Sequence, residues 1–132
     1  MSDTVLELAV PARFQQVAAL RRACDAFLQD SVDELLRHKL LLVLSELCTN
    51  SIEALQNTRT ELIVRVRDMP DCISIEVEDR GPGFGSALGR PPADGLDERG
   101  RGLQVVRSLV DEFSVDRSYG RTTVRVAVAR EP

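Results

Sequence analysis

Three short clusters hold the residue types that a nucleotide-handling site needs. They are Glu46-Leu47-Cys48-Thr49-Asn50, then Asp79-Arg80-Gly81-Pro82-Gly83-Phe84, then Gly100-Arg101-Gly102-Leu103. On a helix, Glu46 and Asn50, four positions apart, project from nearly the same face, so a carboxylate and an amide can serve one pocket. Asp79 stands where an alternating segment runs into Gly81 and Gly83, which tolerate positive φ and let a ligand approach the backbone. Gly100 and Gly102 open a helical pattern, where unpaired N–H groups and the positive end of the helix dipole receive phosphate oxygens. Alone, each cluster has a plain structural reading: a polar stripe on a helix, a turn, a helix entry. Their combination and order carry the specificity.

Those clusters need elements to position them. Leu6, Leu8 and Val10 alternate with Glu7 and Ala9, which predicts a first strand, at a sheet edge, ending at Pro11. From Ala12 to about Gln29 the apolar residues recur at three and four, predicting an amphipathic helix. Asp33 is placed to cap a second helix running to about Asn57, long and largely buried, that carries Glu46 and Asn50. Glu61 to Asp68 and Cys72 to Asp79 alternate across Met69-Pro70-Asp71, a β-hairpin whose apolar face uses Ile63 or Val64 with Ile73, Ile75 and Val77.

Residues 80 to 102 hold seven of the eight glycines and three of the six prolines, without apolar periodicity, and read as a mobile loop. Loops beyond about 12–15 residues in compact domains are usually functional or disordered. A third helix is expected from Leu103 to about Phe113, then strands near Phe113 to Arg117 and Thr122 to Ala129, joined by a turn at Tyr119-Gly120-Arg121. The order β-α-α-β-β-loop-α-β-β predicts an α+β two-layer sandwich: a mixed, mostly antiparallel sheet covered on one face by about three helices. A Rossmann site is excluded because the glycines do not sit in an early βαβ turn, and no GxxxxGK[ST] phosphate loop is present.

At 132 residues the chain has room for one domain, assigned to 1–132. Its 43% hydrophobic and 29% charged residues are those of an ordinary globular protein. Four Phe, one Tyr and no Trp make a poor stacking platform for single-stranded nucleic acid. The net charge of −4 disfavours a phosphate-tracking surface, so no direct nucleic-acid partner is expected. Cys24, Cys48 and Cys72 show no CxxC spacing and read as core fillers in a reducing compartment. The N-terminus lacks a signal-peptide pattern, and the longest apolar run, Leu40 to Leu44, falls short of the ~20 residues of a membrane helix. A cytoplasmic protein without membrane attachment is expected.

The ordered set Ex3N, DxGxG, glycine-rich lid (about 84–102) and GxG resembles the GHKL ATPase superfamily of gyrase, chaperone, histidine kinase and mismatch-repair ATPases, over about residues 35 to 128. Within it, VLSELCTNSIEAL, DRGPGFG and GRGLQVVRSLVDEFSV look like the anti-sigma-factor serine/threonine kinases. The resemblance implies ATP and Mg²⁺ as cofactors. It implies that Asn50 coordinates Mg²⁺, Glu46 acts as general base, and Asp79 accepts a hydrogen bond from the adenine amino group. It further implies that Gly81 and Gly83 shape the adenine end, that Gly100, Arg101, Gly102 and Leu103 form the phosphate segment, and that Thr122 lies near the adenine. Where the family usually has Gly-Thr this chain has Arg121-Thr122, and the frequent histidine after the Asn box is Ala54. Arg121 therefore puts the Thr122 contact in question.

The resemblance also implies partners: a small antagonist protein as phospho-acceptor, a sigma factor to sequester, and a second copy of the chain as homodimer. His38 reads as a surface or partly packed side chain rather than a phospho-accepting histidine. Arg90, Arg99 and Arg101 read equally as γ-phosphate or partner contacts and as solvated loop charges. A different class of function stays open, a non-catalytic ATP-responsive module in which nucleotide only sets the lid and the partner's affinity. A fragment of a larger sensor kinase is the less expected case, since the chain opens on its own strand and closes after the last one.

Overall fold

A computed structural model describes residues 4–55, 60–80, 101–118 and 120–130, with the backbone alone at Arg80, Arg101 and Gly102. In chain order the elements are β1 (Thr4–Pro11), a 3-10 turn (Phe14–Gln16), α1 (Val17–Leu28), α2 (Glu34–Leu55), β2 (Glu61–Asp68), β3 (Cys72–Arg80), α3 (Arg101–Leu109), β4 (Glu112–Ser118) and β5 (Arg121–Ala129). The strands form one sheet in the order β1-β2-β3-β5-β4. Every neighbouring pair is antiparallel, so the sheet expected to be mixed has no parallel pair among the described residues.

The predicted α+β sandwich is observed. Among the described residues β1 pairs only with β2 and is an edge strand, as its pattern implied. Register settles which residues of β2 face the helices: Val64 lies opposite Val77 in the main core, while Ile63 lies opposite Glu78 on the other face. A one-residue offset reverses a side chain's face, and the hairpin's register is what decides it.

The α-helical part of α1 begins at Val17, not Ala12. Arg13 is extended (φ −135°, ψ 145°) and the chain leaves β1 through the 3-10 turn before the helix can start. Leu20, Cys24 and Leu28, spaced by four, then make its buried stripe. For α2, the Asp33 carboxylate accepts the Leu36 backbone N–H at 2.8 Å, the expected N-cap, and Glu34 adds negative charge to the first turn. Leu40, Val43, Leu44, Leu47 and Cys48 are all essentially inaccessible, because α2 packs against the sheet and against both α1 and α3. α3 starts at Arg101 and ends at Leu109, short of the expected Phe113. The Asp111 N–H bonds to the Ala127 carbonyl at 2.9 Å and its carboxylate accepts the Ala129 N–H at 2.7 Å, which turns the chain into β4. Among the described residues, no helix is long and apolar enough to cross a membrane.

The connections set which end of the sandwich each cluster occupies. Arg130, at the end of β5, donates to the Ser31 carbonyl at 3.0 Å and to the Met69 carbonyl at 2.8 Å, and pairs with Asp68. The loop entering α2 is thereby fastened to the β2–β3 turn. From there α2 rises over about 33 Å at 1.5 Å per residue, and the chain re-enters the sheet at Glu61, which pairs with Arg80. The C-terminal half of α2, with Glu46 and Asn50, therefore approaches the end of β3 that holds Asp79. α3 has its C-terminus tied to the Ala127 end, so its N-terminus points the other way, toward that same edge of the sheet.

Candidate functional site

On the helix-facing side of the sheet the central cross-strand rows are apolar, and the row at one end is polar. Val64, Val77, Val124 and Val115 form one row; the next is Leu62, Asp79, Thr122 and Arg117. Strand alternation alone carries this, since Asp79 follows Ile73, Ile75 and Val77 at period 2, and Thr122 precedes Val124, Val126 and Val128. Asp79 is 3% exposed and Thr122 7%. Asp79 Oδ1, Thr122 Oγ1 and Arg117 Nε are buried without a hydrogen-bond partner among the described residues. Buried polar atoms in native proteins are nearly always partnered, so three orphans in one row mark a place for a ligand.

The electrostatics of this row follow from its burial. Burial raises the Asp79 pKa to about 7 and Glu78's negative charge adds to the rise, while the Arg117 charge and a hydrogen bond from the Thr122 backbone N–H oppose it. Burial in turn lowers the Arg117 pKa against the favourable charge of Asp79. The carboxylate thus lies beside the β5 backbone and within charge range of a guanidinium from β4.

Other candidate residues fall as follows. On α2, Asn50 is buried at 8% exposure and Glu46 is half-buried. Leu103, near the start of α3, is buried, and Arg101 and Gly102 form the first helical residues before it. Gly81, Gly83, Gly100, Arg90 and Arg99 lie outside the described residues. His38 is exposed, in keeping with a surface role. Cys24 and Cys48 are free and buried, and burial raises both thiols to about 12, in keeping with inert packing.

Two points go beyond the sequence reading. Arg121 does not crowd Thr122: the strand alternates, and Arg121 turns to the opposite face to pair with Glu78 at 3.6 Å. The left-handed turn residue is Gly120 (φ 77°), so glycine serves the turn one position earlier than the family's usual Gly-Thr. Arg117 was not picked out from the sequence. Its signal was a cation at period 2 after Phe113 and Val115, on a face otherwise apolar.

Among the described residues, a five-stranded antiparallel sheet under three helices, with orphaned polar atoms on one end row, defines an α+β domain with a candidate ligand site. The model of the histidine kinase-like ATPase domain matches residues 10–128, and the chain belongs to that family. Among solved structures, that of the RsbU and RsbW domains of Rv1364c from Mycobacterium tuberculosis is similar in fold, with a TM-score of 0.72 at 18% identity. The similarity covers 96% of this chain and 32% of that one, so the chain spans about a third of its neighbour's length. No curated protein matches the chain.

Proposed function

We propose that this chain is an ATP-dependent protein serine/threonine kinase that acts as an anti-sigma factor, phosphorylating a small antagonist protein in a partner-switching system. The observation that supports it most is the row of orphaned atoms. An unpaired buried carboxylate oxygen beside an unpaired hydroxyl fits the amino-bearing edge of adenine, which otherwise meets no acceptor in an apolar wall. Membership of an ATPase-domain family supports the nucleotide, and the sequence motifs support the kinase subclass.

In this reading Asp79 and Thr122 hold the base, and Gly81 and Gly83 shape its surroundings. Gly100, Arg101, Gly102 and Leu103 bring the N-terminus of α3 to the phosphates. Asn50 would hold Mg²⁺ through its side-chain oxygen, and the ion would neutralise charge on the phosphates. Glu46 takes the proton of the acceptor's hydroxyl as its oxygen bonds to the γ-phosphorus and the bond to the β-phosphate oxygen breaks, leaving ADP. The acceptor hydroxyl arrives in trans on the antagonist. A cytoplasmic homodimer that also sequesters a sigma factor completes the proposal; among the described residues β1 is an edge strand, one place where a second copy can add.

Labelled phosphate transfer to a cognate antagonist, with parallel ATP-binding measurements, tests this. Glu46→Gln is expected to spare ATP binding and lower transfer by roughly 10²–10⁴-fold, and Asn50→Ala to weaken Mg-dependent binding. Binding without any transfer by the wild-type protein would leave the ATP-responsive module and remove the kinase.

A further inference from the structure

We propose that Arg117 is a specificity residue of the base site, donating to the adenine ring nitrogen next to the amino group while Asp79 accepts from that amino group. This rests on the nucleotide reading of the site given above.

Arg117 belongs to β4, an edge strand, where a long cation could turn outward to water. Its position in the register instead puts it on the helix-facing side, in one row with Thr122 and Asp79. A guanidinium placed there only to neutralise Asp79 would hydrogen-bond to it and satisfy both groups. It does not: Arg117 lies within charge range of Asp79, yet its Nε and the carboxylate's Oδ1 are both buried and unpaired. The row therefore offers one donor and one acceptor that do not consume each other. Adenine carries the complement on one edge, a donating amino group on C6 and the accepting ring nitrogen N1 beside it. Orphaned donors in a site built to hydrogen-bond a ligand discriminate strongly against an analogue that lacks the partner atom. Thr122 lies on the strand between them, and its backbone N–H favours the charged form of the Asp79 acceptor.

The test is a set of dissociation constants for a non-hydrolysable ATP analogue and its 1-deaza and 7-deaza counterparts, on the wild type, Arg117→Met and Arg117→Lys. Replacing N1 by carbon is expected to weaken wild-type binding about tenfold, with no loss for the 7-deaza compound. Arg117→Met is expected to bind the parent analogue about tenfold more weakly and to bind parent and 1-deaza alike, and Arg117→Lys to recover part of the difference. Equal wild-type affinity for parent and 1-deaza compounds overturns the assignment, as does discrimination that persists in Arg117→Met. Loss confined to the 7-deaza compound overturns it too. The wild-type comparison decides even where Arg117→Met does not fold. Failure of all three compounds to bind the wild type removes the nucleotide reading itself, whereas tight binding without the N1 effect removes only Arg117.

Discussion

Asp79 meets opposite demands with and without a ligand. Without one, a carboxyl that is 3% exposed and has an unpaired oxygen resists ionisation, and its pKa rises to about 7 from the ordinary 3.8. The folded state then holds this proton more tightly than the unfolded chain. Its contribution to stability is present in full below pH 3.8 and is lost as pH rises through about 7. Asp79→Asn is expected to flatten that pH dependence and to stabilise the ligand-free protein at pH 8 by on the order of 2–4 kcal/mol. Urea unfolding from pH 4 to 8 measures it, and an unchanged pH profile in the variant would refute the cause. The same substitution should blunt the preference for adenine, so stability here is exchanged for recognition. Glu46, Asn50, Asp79 and Thr122 could be picked out as residue types at suggestive spacings. That Asp79 and Thr122 are direct cross-strand neighbours with Arg117 beside them could not, because strand order β3-β5-β4 departs from chain order.

The elements were largely legible because each has a hydrophobic period of its own. The alternation of β2 and β3 and the Asp33 cap of α2 survive unchanged in the structure. Ends were less legible, because tertiary hydrogen bonds set them: α3 stops where Asp111 bonds to β5, and α1 starts only after the chain has turned away from β1. Since the cap of α2 also orients the loop fastened by Arg130, Asp33→Ala is expected to cost about 1 kcal/mol. Chemical denaturation with an unchanged m-value checks it; a loss below a few tenths of a kcal/mol would mean that packing alone fixes the helix start. Affinity for ATP should change little, because the site lies at the other end of α2.

Across the whole molecule, the sheet's two faces divide the work. The helix-facing side is an apolar core bounded by the Asp79 row at one end and by the Asp68–Arg130 pair at the other. On the opposite side Glu76 and Glu78, each 4% exposed, are buried among arginines. Arg65 reaches Glu78 at 3.0 Å, Glu76 at 3.4 Å and Glu7 at 3.4 Å, while Arg121 pairs with Glu78 and Arg125 with Glu76. Removing a shared cation leaves buried carboxylates short of charge, and that costs more than an exposed ion pair contributes. Arg65→Met is expected to destabilise the fold by about 2 kcal/mol, the remaining arginines limiting the loss. Unfolding free energies at neutral pH test this, and a neutral effect would show the ladder to be dispensable. The sequence by itself determined the α+β class, the elements and the residues able to handle a nucleotide, because periodicity and turn chemistry are local. Only the tertiary structure decided which face Val64 and Arg121 take, and which polar atoms remain unpaired. Those depend on strand register and order, which are set by the burial of residues far apart in the chain.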